Sequence, residues 1–141
     1  MEVRIKSNAK AVAKRVGKKG KALSDSIKMA LLKTGLVGLN IIEDRTAKGQ
    51  AIGGMFFKGY SEKYAFVRAK FGRTPVKVDL RFEGHMLDAM SVRANSRYAE
   101  IYFIRAEEAK KAAMVNKTRP FFGFSRLEEK ELGQVFFRAL K

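Results

Sequence analysis

The chain has 141 residues, 46% of them apolar and 11% aromatic, with a net charge of +16 and no cysteine. A chain of this size buries roughly two-thirds of the surface its unfolded form would expose, so one domain spanning 1–141 with one real core is expected. The lack of cysteine excludes disulfides and thiolate metal sites, and no apolar run approaches the roughly 18–20 residues that a membrane span needs.

The opening MEVRIKSNAK has no apolar stretch after its charges and does not read as a secretory signal. Val3 and Ile5 alternate with charged neighbours, the period of a short half-buried strand over 2–6. From Ala9 the period changes: Ala9, Val12, Ala13 and Val16 recur at helical spacing, and Gly17 and Gly20 then interrupt the pattern. Ser24 or Asp25 is placed to cap a restart, after which Ile27, Leu31, Thr34, Gly38 and Ile41 or Ile42 form one continuous stripe. The spacing predicts a long helix running to about Arg45, with Gly35 and Gly38 allowing close approach to another element.

Residues 46–60 hold four glycines and few secondary-structure cues, and long loops of this kind are usually functional or make contacts. Helical character resumes over 61–70 and breaks at Gly72 to Pro75. Val76, Val78, Leu80 and Phe82 alternate with Lys77, Asp79 and Arg81, which predicts a strand. A short helical turn over 84–90 comes next, then a hairpin of 91–94 and 98–104 turning at Asn95–Ser96. Residues 107–114 favour a helix. After the loop TRPFFGFS, Ser125 with Glu128 three residues on forms a capping-box pattern for a last helix carrying Leu127, Leu132, Val135, Phe136 and Leu140. The expected fold is α+β: a long N-terminal helix packed on a small, mostly antiparallel sheet, with extended loops and a C-terminal helix.

Site chemistry is sparse. His85 is the single histidine, metal sites need several convergent ligands, and the paired acids Glu43–Asp44, Glu107–Glu108 and Glu128–Glu129 do not face each other on a helix. Gly49, Gly53 and Gly54 lack the Lys–Ser/Thr pair of a phosphate loop. No catalytic residue, metal or cofactor is assigned, and the chain is not expected to be an enzyme.

Two constellations remain. Ten basic residues fall between Arg4 and Lys33, with only Glu2 and Asp25 to offset them nearby. Lys10, Lys14, Arg15, Lys18, Lys19 and Lys21 are candidates for contact with DNA or with an acidic protein, and a merely solvated face is the third reading. DNA contact here would be non-specific, because base reading needs Arg, Asn or Gln set for the groove. The aromatics Phe56, Phe57, Tyr60 and Tyr64 form one cluster and Phe121, Phe122 and Phe124 another. Such clusters can stack on single strands, or fold back on the core or plug into a neighbour.

Ile42, Arg45, Thr46, Gly49, Gly54 and Phe56 spell I-x-x-R-T-x-x-G-x-x-x-x-G-x-F, followed by Tyr60, Ser61 and Tyr64. Val78, Asp79 and Leu80 lead to Gly84, Met86, Leu87 and Met90, and Arg119, Pro120, Phe121, Phe122, Gly123 and Ser125 close the series after Glu107–Lys111 and Asn116. In this order and spacing the motifs resemble the phage virion-morphogenesis (tail-completion) proteins over about residues 40–130. The usual Gly-x-Leu after the Val-Asp-Leu segment is here Gly84-His85-Met86, and the lysine-rich first forty residues lie outside the match.

The resemblance implies a structural virion protein, made in the host cytoplasm, that joins or caps the tail at the neck or tail end and lets DNA pass. It implies a ring of identical subunits, expected to be a hexamer, meeting neck or connector proteins or tail-tube or terminator proteins, with no membrane and no small-molecule substrate. Closed rings need head-to-tail interfaces, and aromatics dominate interface cores. The candidate interface residues are therefore Phe56, Phe57, Tyr60, Tyr64, Arg119, Pro120, Phe121 and Phe122. The alternative from a different class is a soluble basic nucleic-acid-binding module.

Overall fold

A computed structural model describes residues 1–6, 20–81 and 84–140. Its backbone element is helix α1, Gly20–Ala47, about 42 Å long at 1.5 Å per residue. The apolar stripe read from the sequence is the buried face: Ile27, Leu31, Thr34, Gly38 and Ile42 are buried, and Ala30, outside that stripe, is buried beside them. Thr34 is tolerated there because its hydroxyl donates to the Ala30 carbonyl at 2.8 Å. Gly35 and Gly38 let the helix axis approach its neighbours. A Cβ on Gly35 would lie 2.6 Å from Val92 Cγ1, and one on Gly38 would lie 2.9 Å from Phe124 Cζ.

Among the described residues the sheet has three strands, β1 (Glu2–Lys6), β2 (Met90–Ala94) and β3 (Tyr98–Phe103), in the order β1-β3-β2. Both pairings are antiparallel, with Val3 opposite Ile101 and Val92 opposite Ile101. The hairpin turn is held by Asn95, whose Oδ1 accepts from the Arg97 N–H at 2.8 Å and the Tyr98 N–H at 3.0 Å. Helices α2 (Glu62–Lys70) and α3 (His85–Asp88) precede the hairpin. Helices α4 (Ala106–Thr118) and α5 (Arg126–Leu140) follow it. Helix α1 packs on β2 and β3 and against α5. The architecture is α+β, as the periodicities suggested.

The core has two parts along α1. Ile27, Ala30 and Leu31 meet Ala99 and Phe136, while Ile42 joins Phe57, Ile101, Phe103, Phe121 and Phe122. Ser125 starts α5, its Oγ accepting from the Glu128 N–H at 3.3 Å. The Glu128 carboxylate pairs with Arg45, so one half of the expected capping box forms and the other is diverted to tertiary structure.

The strand expected over 76–82 is absent. Residues 76–81 run irregularly, and 82 lies outside the described residues. The reason is Arg68, which is 1% exposed. Its guanidinium donates to the Thr74 carbonyl (2.8 Å), the Arg81 carbonyl (3.1 Å) and Asp79 Oδ1 (3.0 Å). Asp79 also accepts from the Arg81 N–H, and the Leu80 N–H donates to the Tyr60 hydroxyl. Backbone groups that a ladder would use are taken by side chains, and Leu80 sits at φ 57°. Of the alternating residues that are described, Val78 alone is buried.

Candidate subunit interface

Two loops, 48–60 and 119–125, carry the candidate residues other than Tyr64, which lies on α2, and one arginine ties them to the long helix. Arg45, in the last turn of α1, donates through Nη2 to the carbonyls of Phe121 (2.6 Å) and Gly123 (2.9 Å) and pairs through Nη1 with Glu128. Asn116 Oδ1 accepts from the N–H groups of both Phe121 and Phe122 at 3.0 Å. The two loops join directly where the Ile52 N–H donates to the Pro120 carbonyl at 2.9 Å. Arg119 completes the joint, donating to the carbonyls of Lys58 (2.8 Å) and Gly59 (2.9 Å). Arg45 Nε and Thr46 Oγ1 are buried with no hydrogen-bond partner.

This joint divides the aromatics. Phe122 packs on Phe121 and on Phe103, with Phe103–Phe122 ring centroids 5.0 Å apart. Phe57 is buried in the same cluster. These three therefore fill the core and do not stand as surface anchors, because their backbone is pulled inward by Arg45, Asn116 and the Phe57 N–H bond to the Gly49 carbonyl. Phe56 points the other way and is 78% exposed, as is its neighbour Met55. The two make an apolar tip beside the isolated bridge between Gln50 and Phe56. The sequence reading missed Met55; its signal was adjacency to Phe56 inside the glycine-rich loop.

Tyr60, Tyr64 and Arg119 converge on one concavity of about 810 Å³. Leu80, Met86 and Val115 give it apolar walls. The two tyrosine rings meet edge to face at 5.0 Å, and the guanidinium carbons of Arg68 and Arg119 lie 4.6 and 5.3 Å from the Tyr60 ring centroid. Burial pushes the Tyr60 phenol up from its ordinary pKa, opposed by the Arg68 charge. Glu108, buried on α4, accepts from Lys111 Nζ at 3.3 Å through Oε1, while its Oε2 has no hydrogen-bond partner. Arg68 and Glu108 were not foreseen, since nothing in a local pattern says which charged residue of a helix turns inward. Pro120 is exposed at the loop surface.

His85 lies at the edge of the same concavity and is exposed. No group of three or more potential metal ligands occurs among the described residues. No described helix is long and apolar enough to cross a membrane. Of the basic candidates, Lys21 is exposed in the first turn of α1, whereas Lys10, Lys14, Arg15, Lys18 and Lys19 lie outside the described residues.

Compared with protein-family models, with curated proteins and with solved structures, the chain has no match.

Proposed function

We propose that this chain is a structural subunit of a tailed-phage particle, working in a ring of its own copies at the head–tail junction or the tail end. The observation that carries the reading is the convergence of the motif residues. Arg45, from the first motif, grips the backbone of Phe121 and Gly123, from the last. The first and last elements that resemble tail-completion proteins thus form one joint, as parts of a single structural signature would.

The chemistry of such a subunit is recognition. A ring needs two different surfaces on one chain, a projection and a recess that receives it. Met55 and Phe56 supply an apolar projection, and the concavity between Tyr60, Tyr64 and Arg119 supplies a recess with aromatic walls and polar groups. Large apolar and aromatic side chains set in such pockets are the usual anchors of an interface. Neck, connector, tail-tube or terminator proteins are the neighbours this reading assigns. It places the protein in the virion and gives it no catalytic step.

Negative-stain microscopy of the purified protein, with mass spectrometry of the tailed particles it comes from, tests the proposal. Rings, and the protein among the tail proteins, are the expected result. Particles that lack the protein, together with a purified chain that stays single, would refute it.

A further inference from the structure

The outer face of the sheet carries a feature that lies outside the candidate interface. Side chains alternate across a strand, so Val3, Ile5, Val92, Ala99 and Ile101 face the helices. Glu2, Arg4, Lys6, Arg93, Tyr98, Glu100 and Tyr102 face away from them. Arg4 and Arg93 remain 42% and 61% exposed, although Arg4 Nη2 is paired with the Glu2 carboxylate at 2.9 Å.

The register places Arg4, Glu100 and Arg93 in one row across the three strands. Arg4 Nε donates to Glu100 Oε1 at 2.9 Å, and Arg93 Nε donates to Oε2. Each guanidinium also lies over a tyrosine of the central strand, Arg4 at 4.5 Å from the Tyr98 centroid and Arg93 at 4.3 Å from that of Tyr102. Glu100 is 1% exposed because the two arginines close over it. It thereby fixes both planar cations by their Nε atoms. The Nη groups of Arg93 make no hydrogen bond among the described residues.

We infer that this face binds single-stranded nucleic acid, with phosphates taken by Arg93 and Lys6 and unpaired bases stacked on the two arginine–tyrosine pairs. Bases stack on arginine planes as well as on aromatic rings. Tyr98 and Tyr102 are four residues apart on one strand, roughly 13 Å, so the stacks are separate and can serve different bases. Charge complementarity supports a polyanion: the chain carries +16, and β1 leads in sequence into the run from Lys10 to Lys21. An acidic protein would answer the charge but has no use for two flat stacks.

The test is fluorescence anisotropy of a labelled thymidine 12-mer, with a duplex of equal length and poly-glutamate as competitors, between 50 and 300 mM salt. Tyr102→Ala should weaken binding to the single strand about tenfold, within the range for one base–aromatic stack. Arg93→Gln should weaken it and flatten its salt dependence. Lys110→Gln, an exposed charge on α4, should stay within about twofold of the unaltered protein. Equal weakening by Lys110→Gln and Arg93→Gln would overturn the inference, as would poly-glutamate or duplex competing as well as the single strand. Absence of binding at 50 mM salt would also overturn it. The inference does not rest on the ring, and rings that bind no strand would refute it alone.

Discussion

The Arg45 guanidinium on α1 donates to the backbone carbonyl of Phe121 at 2.6 Å, a contact between residues 76 positions apart. It fixes the course of the chain after α4, because the same guanidinium also holds the Gly123 carbonyl and the Glu128 carboxylate. Three acceptors of different direction need a planar fork of donors, which lysine lacks. Arg45→Ala should lower unfolding stability by about 3 kcal/mol, since it leaves a largely buried carboxylate and two carbonyls without their donor. Arg45→Lys should recover less than half of that. Urea unfolding midpoints measure both; a loss below about 0.5 kcal/mol for the alanine variant, within the usual range for an ordinary surface position, would show that the joint is not structural.

Gly35 and Gly133 make a matched pair on two helices. A methyl on Gly35 meets Val92 and Ala99, whereas one on Gly133 meets nothing within 4 Å. Alanine gains about 1 kcal/mol of helix propensity at either site. At Gly35 overpacking of about 1–3 kcal/mol opposes it. Gly133→Ala should therefore raise the melting temperature and Gly35→Ala should lower it, and shifts of the same sign would contradict the packing described for α1.

Glu100 gives a pH signature. Burial under the arginines pushes its carboxyl up, but the hydrogen bonds from Arg4 and Arg93 outweigh this and hold it below its ordinary value. A depressed folded pKa contributes stability that is present above the unfolded value, about 4.3. That stability is lost as pH falls through the folded value. The stability difference between the unaltered protein and Glu100→Gln should be greatest near neutrality and shrink below about pH 4. Denaturant titrations from pH 7 to pH 3 read it directly, and a constant difference over that range would remove the assignment.

Two phenylalanines separate folding from assembly. Phe121 is fully buried and Phe56 is exposed. Phe121→Ala should lose about 3–5 kcal/mol of stability. Phe56→Ala should change stability by no more than about 0.5 kcal/mol while reducing self-association. Calorimetry and sedimentation velocity together give both readings, and equal self-association by the Phe56 variant would take the loop tip out of the interface.

Local patterns carried most of the fold. The stripe from Ile27 to Ile42 marked the long helix, Asn95–Ser96 marked the hairpin, and Ser125 marked the start of α5. What failed was decided by contacts between distant residues. The alternation of Val76, Val78 and Leu80 suits a strand, but Arg68 and Tyr60 claim that backbone. Aromatic clustering picked out the two loops separately and did not show that they join, nor could it tell Phe57, Phe121 and Phe122, drawn inward, from Phe56, left outside. The arginine–tyrosine face depends on β1 pairing with β3, whose residues are 96 positions apart at Arg4 and Glu100. No local period shows that pairing.

Light scattering of the purified protein over a hundredfold range of concentration separates the proposed closed ring from every other state of the chain. A closed ring gives one dominant species whose mass is a fixed whole multiple of the subunit and does not drift with dilution. A species of one subunit's mass at every concentration, or a mass that grows without limit as concentration rises, would contradict it.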